Sequence, residues 1–183
     1  MLSEGERSTL LRIARETVQA RLQGDPRPRV SVQSPALQAP CGAFVTLKNR
    51  GRLRGCIGTF VARAPLHQTV QDMAEGALRD PRFVAAPVTA RELPDLDVEI
   101  SVLSPLERTR DPLAEIELGR HGILVEGPYG SGCFLPQVAT ETGWSKEEFL
   151  SHCCAGKAGL DPDAWRQPGT TVYRFEAEVF GEE

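Results

Sequence analysis

The sequence predicts an α+β fold with a mainly antiparallel sheet and helices on one side. Three observations carry this. Alternating apolar stretches come in pairs joined by short polar turns, which reads as hairpins. Helical periodicity comes in separate blocks, several of them opened by capping boxes. Strands and helices do not alternate strictly, as a parallel sheet would require.

The elements follow in order. Ser3 with Glu6 opens an amphipathic helix whose apolar face carries Leu10, Leu11, Ala14, Val18 and Leu22, and Gly24 stops it. Residues 24–40 hold Pro26, Pro28, Pro35 and Pro40, which predicts an extended connection without regular structure. Ala43, Val45 and Leu47 alternate with Phe44 and Thr46 as in a strand. Lys48-Asn49-Arg50-Gly51 is a turn, and Leu53 to Thr59 is the return strand. Pro65 starts a helix that ends before Asp80-Pro81, because the residue before proline avoids helical dihedrals. Asp80-Pro81-Arg82-Phe83 is a turn, and Thr89 with Glu92 caps a short helix broken at Pro94. Leu96, Val98, Ile100 and Val102 face one way along the clearest strand, with Asp97, Glu99 and Ser101 opposite. Pro112 opens a short helix through Glu117. His121 to Glu126 and Ser131 to Leu135 form a hairpin that Pro136 ends. Ser145 with Glu148 caps a helix carrying Phe149, Leu150, Cys153 and Cys154, ended by Gly156 and Gly159. Tyr173, Phe175, Ala177 and Val179 alternate along a last strand.

A chain of 183 residues with 40% hydrophobic and 25% charged content can build an ordinary core as one domain, or as one with a small subdomain. The net charge of −4 argues against a general nucleic-acid binder. No apolar run approaches the ~20 residues that span a bilayer. Met1 to Arg12 carries Glu4, Glu6, Arg7 and Arg12 and lacks the apolar core of a signal peptide, so a cytoplasmic location is expected. Five cysteines without a secretory signal read as reduced thiols.

The chemistry concentrates in Leu53-Arg54-Gly55-Cys56-Ile57-Gly58. A thiol sits between two glycines and beside a guanidinium. Glycine lets another group approach the main chain closely, and a nearby cation favours the thiolate. The alternative is that Cys56 is a small apolar residue in a strand. Glu99 is either a buried acid in need of a partner or part of a solvated strand face. Other signatures are missing. His67, His121 and His152 are far apart, no Cys-x-x-Cys pair occurs, and Cys153 and Cys154 project about 100° apart on a helix, so no metal site follows. There is no phosphate loop and no dinucleotide fingerprint, and the aromatics are too scattered for a base-stacking platform, so no cofactor follows either.

The hexapeptide resembles the signature of the AMMECR family, and the whole chain is similar to its prokaryotic branch, the AmmeMemoRadiSam system A proteins. Gly42 to Leu47, Asp80 to Phe83, Val98 to Ser104, Phe134 to Val138, Glu148 to His152 and Val172 to Phe175 read like that family's blocks, in order. The similarity spans residues 5–180, and Cys153 to Leu160 is one residue longer than the family's pattern. The resemblance implies a single AMMECR-type domain over residues 1–183. It implies a larger and a smaller subdomain with a cleft between them. It also implies partners, a Memo-like protein and a radical S-adenosylmethionine (radical SAM) protein, but no settled reaction.

Two functions stay open. In the first, Cys56 is a nucleophile or covalent carrier, with Arg54 or Arg82 lowering its pKa or holding an anionic group. Glu99 is then a general base or an orienting partner, and Gln137 a hydrogen-bond donor or acceptor to substrate. No histidine is linked to the thiol by motif. In the second, the chain is a non-catalytic module in which Gly55, Gly58 and Arg54 offer backbone and charge to a ligand or partner, and Cys56 matters for its size. RNA binding through Arg50, Arg52 and Arg54 is a further alternative, opposed by the acidic net charge.

Overall fold

Ser3 and Glu6 exchange the two bonds of a capping box, and α1 follows over Glu4–Gln23. In the computed structural model, which describes residues 1–61 and 63–182, the chain divides into two units. The larger comprises Met1–Leu103 and the end of the chain from Glu178, and the smaller comprises Ser104–Ala177.

In the larger unit a single helical turn, α2 (Pro35–Gln38), interrupts the connection expected to be irregular. Pro35 starts it because proline's fixed φ suits a first helical position. A hairpin follows, β1 (Ala43–Asn49) and β2 (Arg52–Thr59). Its two-residue turn has positive φ at both Arg50 and Gly51, matching the twist of the flanking strands. α3 (Leu66–Ala77) comes next and stops before Asp80-Pro81, as expected. A 3-10 turn spans Pro81–Phe83. A second spans Ala90–Asp95 and contains Pro94, so the proline sits inside the turn instead of breaking it. β3 (Leu96–Leu103) completes the run of strands.

The strands lie in the antiparallel order β2–β1–β3, and β2 is an edge. Register puts Val45 and Leu47 on one face with Ile57, Val98 and Ile100, and α1 and α3 pack there. Each fully buried aliphatic side chain contributes about 1.5–3 kcal/mol. The opposite face carries Phe44, Thr46 and Lys48 beside Cys56, Gly58, Glu99 and Ser101.

The smaller unit begins with β4 (Glu107–Arg108) and a helix shorter than predicted, α4 (Pro112–Glu115). The hairpin of β5 (His121–Glu126) and β6 (Ser131–Phe134) is present. Pro136 ends β6 but also starts α5 (Pro136–Thr142), a helix the sequence reading missed. α6 (Lys146–Cys153) continues into a π-helical turn over Cys154–Ala158 before Gly159 ends it. The wider turn holds one more residue than an α-turn. The last strand, β7 (Thr171–Gly181), pairs with β4 and β5 through its first part. Ile123, Val125, Phe134, Phe149, Leu150 and Trp165 form this unit's own core. No helix among the described residues is long and apolar enough to cross a membrane.

Candidate functional site

The hexapeptide lies on β2, and its two glycines hold it against its surroundings. A Cβ on Gly55 would stand 2.0 Å from the Ala77 carbonyl oxygen, so glycine lets the end of α3 rest directly on the strand. A Cβ on Gly58 would stand 2.2 Å from the Phe44 ring, which lies across it. Phe44 in turn meets Phe60 edge-on.

Cys56 sits between these contacts, half-buried, on the face opposite the helices. Because β2 is an edge, the Cys56 backbone groups turn away from β1 and need partners. Asp80 and Arg82 supply them. The Cys56 N–H donates to Asp80 Oδ2 at 2.9 Å, and Arg82 Nη2 donates to the Cys56 carbonyl at 3.3 Å. The acid and guanidinium therefore stand where another strand would hydrogen-bond. Arg82 also donates to Asp80 from Nε at 3.0 Å and from Nη2 at 2.6 Å. The Asp80 side chain is 1% exposed and that of Arg82 52%. The Arg82 bonds, then the backbone donors at Cys56 and Arg82, hold the Asp80 carboxyl far below its ordinary range.

The register slips between Leu47 and Lys48, leaving Arg54 as a bulge residue. The bulge sends its side chain to Glu92, with Nε–Oε2 at 2.7 Å and Nη2–Oε1 at 3.1 Å, and Nη2 also donates to the Ala86 carbonyl. Arg54, with help from the Thr89 N–H and Asn49, lowers the Glu92 carboxyl to about 2. Arg54 and Arg82 both lie over the Phe83 ring, 5.7 and 5.8 Å from its centroid. A hollow of about 480 Å³ beside Arg54 is lined by Asn49, Arg52, Leu53, Arg54, Ala86 and Glu92.

Glu99 is held by Lys48 Nζ at 2.9 Å. Its strand partner Thr46 lies between it and Cys56, so the three form a row across the sheet. Thr46 Oγ1 donates to Cys56 Sγ at 3.1 Å. Of the residues singled out from the sequence, Arg82 and Gly55 meet Cys56 or its strand directly. Arg54 and Glu99 are committed to other partners. Gln137 belongs to the smaller unit, on α5, where its Oε1 is buried without a hydrogen-bond partner among the described residues.

Thr46, Asp80 and Glu92 were not singled out, yet they organise the site. The Asp-Pro pair was a visible cap signal at Asp80. No local signal pointed to its use by Cys56, 24 residues away in sequence. In the smaller unit, a cavity of about 660 Å³ is lined by Glu107, Glu117, Arg120, His121, Arg174 and Glu176, among others. His121 Nδ1 accepts from the Glu117 N–H at 3.0 Å, so Nε2 carries the proton. Burial, then the cations of Arg174 and Arg120, push its pKa down and favour this neutral form. No group of three or more His, Cys, Asp or Glu among the described residues could hold a metal.

The AMMECR1 family model matches residues 11–180. A protein of Methanothermobacter thermautotrophicus is 43% identical over 189 residues, which is 100% of this chain and 97% of the relative. Protein TK0174 of Thermococcus kodakarensis is 46% identical, over 78% of this chain and 73% of the relative. Among solved structures, the uncharacterised protein PH0010 of Pyrococcus horikoshii superposes with a TM-score of 0.87 at 40% identity. The match covers 96% of this chain and 90% of that one.

Proposed function

This chain belongs to the AMMECR1 family, and on that premise we propose that it is a ligand-handling component of a multi-protein modification system. The face around Cys56 is its working surface. The thiol contacts the bound group, while Arg54, Arg82 and Glu99 hold the shape of the surface through their own partners. One observation carries this reading. Cys56 is a half-buried residue whose Sγ has a side-chain donor in Thr46, whereas the polar groups around it are spent on Asp80, Glu92 or Lys48. The partners in this reading are a Memo-like protein and a radical SAM protein, and the support for them is the family resemblance alone.

The second reading, a binding module without thiol chemistry, is favoured by the same pairings. Arg54, Arg82 and Glu99 are each already bonded to a partner of opposite charge, which suits side chains that hold a surface in shape. Under either reading a further strand cannot add to β2 at Cys56, because Asp80 and Arg82 occupy that edge.

Capture experiments separate the two readings. The chain is immobilised as wild type, as Cys56→Ser, and after iodoacetamide has modified Cys56. It is then mixed with a Memo-like and a radical SAM protein from the same source. The proposal expects the adduct to abolish capture and the serine variant to weaken it. Capture unaffected by either change overturns the thiol contact and leaves Cys56 as packing. Loss in the adduct with full capture by Cys56→Ser supports the second reading.

A further inference from the structure

A second groove lies wholly within the smaller unit, about 770 Å³ in volume. Arg108, Arg110 and Arg166 line it together with Gln167, Thr170 and Thr171, and no carboxylate is among its lining residues. In a protein of net charge −4, this is a local concentration of positive charge.

The arrangement follows from the strand. Thr109 points inward, buried, with Oγ1 donating to the Val172 carbonyl at 2.8 Å. Arg108 at the end of β4 and Arg110 just beyond it flank this inward residue, and both line the groove. Both are exposed, and neither makes an ion pair or a side-chain hydrogen bond among the described residues. The nearby carboxylates have other duties. Asp111 caps α4 by accepting from the Ala114 N–H. Glu115 accepts from the backbone N–H groups of Arg110 and Asp111. Asp163 and Glu147 pair with Arg166, whose guanidinium lies 4.0 Å from the centroid of the Trp165 ring. The side chains of Gln167, Thr170 and Thr171 add polar groups without hydrogen-bond partners among the described residues.

We propose that this groove binds a small phosphorylated ligand, with Arg108 and Arg110 each taking a phosphoryl group and the threonine hydroxyls and Gln167 completing the contacts. Two separated guanidiniums suit a ligand with more than one anionic group, and the planar fork of arginine matches phosphate oxygens in pairs. A nucleic-acid strand shares this chemistry but fits less well. Trp165 is buried and covered by Arg166, so it offers no surface for stacking a base. The protein's overall negative charge also repels a long polyanion.

Calorimetric titration of the intact chain with sodium tripolyphosphate, and separately with a short single-stranded RNA, tests this. The wild type should bind tripolyphosphate, more weakly as salt rises. Arg108→Gln/Arg110→Gln should lose at least about tenfold in affinity, the scale of one or two charge-assisted hydrogen bonds. Arg108→Glu/Arg110→Glu should bind no tripolyphosphate. Thermal unfolding should be unchanged in both variants, since these side chains are exposed. Binding of neither probe overturns the proposal, as does tripolyphosphate affinity equal in wild type and variants. Binding of RNA alone overturns it in favour of a nucleic-acid surface.

Discussion

The edge of the sheet at Cys56 and the groove at Arg108 use the same side chains to opposite ends. At the edge, Arg82, Arg54 and Lys48 each meet a carboxylate, Asp80, Glu92 and Glu99. In the groove, Arg108 and Arg110 form no ion pair among the described residues, and the charge of Arg110 acts on Glu115 only at a distance. Paired charges fix a backbone, and unpaired charges are left for something that arrives. Charge near a thiol therefore says little about reactivity until its partners are known.

The comparison can be broken by mutation, and the largest effect belongs to the edge. Asp80→Ala removes a buried acceptor that serves the Cys56 N–H and Arg82 together. We expect it to cost about 3 kcal/mol in denaturant-monitored unfolding, because it strands a donor and dissolves a pair. Gly55→Ala comes next, at about 2 kcal/mol, since the new methyl meets the Ala77 carbonyl and the end of α3 must move. A loss below ~0.5 kcal/mol in either would show that the edge is not held as described.

Acid should act in the same direction. Glu92 has its carboxyl lowered from 4.5 to about 2 in the folded protein, first by Arg54. A carboxylate with a depressed folded pKa stabilises above its unfolded value, and that contribution is lost as pH falls through the folded value. On the order of 2 kcal/mol should therefore disappear between pH 4.5 and about 2, read from denaturant midpoints. Arg54→Gln should flatten that dependence. Cys56→Ser is smaller still, about 1 kcal/mol or less, because a hydroxyl keeps the Thr46 partner. Arg108→Gln/Arg110→Gln should fall within about 0.5 kcal/mol of wild type, the ordinary range for exposed substitutions. A large loss there would mean that those arginines hold structure as well.

Local chemistry made much of the fold legible. The capping boxes at Ser3 and Ser145 formed, and at Thr89 the half in which Glu92 accepts from the Thr89 N–H did. The turn at Arg50-Gly51 and the alternation of β3 were equally readable, because each depends on residues a few positions apart. α5 was missed because Pro136 was read only as the end of a strand, when proline also suits a first helical turn. Residues 24–40 hid α2 for the same reason. The site was legible in its centre and not in its surroundings. Gly55, Cys56 and Gly58 could be found by type. The bonds that decide what Arg54 and Arg82 do reach Glu92, 38 residues away, and the Cys56 carbonyl, 26 residues away. Only folding brings those groups together. The bulge that turns Arg54 toward Glu92 has no signature in residue type.

The claim on which the functional account stands is that this edge is built to present the Cys56 sulfur. Brief exposure of the native protein to iodoacetamide, followed by peptide mass spectrometry, measures it against the two cysteines of α6 and its π turn. Cys153 and Cys154 are 0% exposed. The account predicts adducts at Cys56 while Cys153 and Cys154 remain unmodified. Cys56 protected as long as those two, and modified only on unfolding, would contradict it.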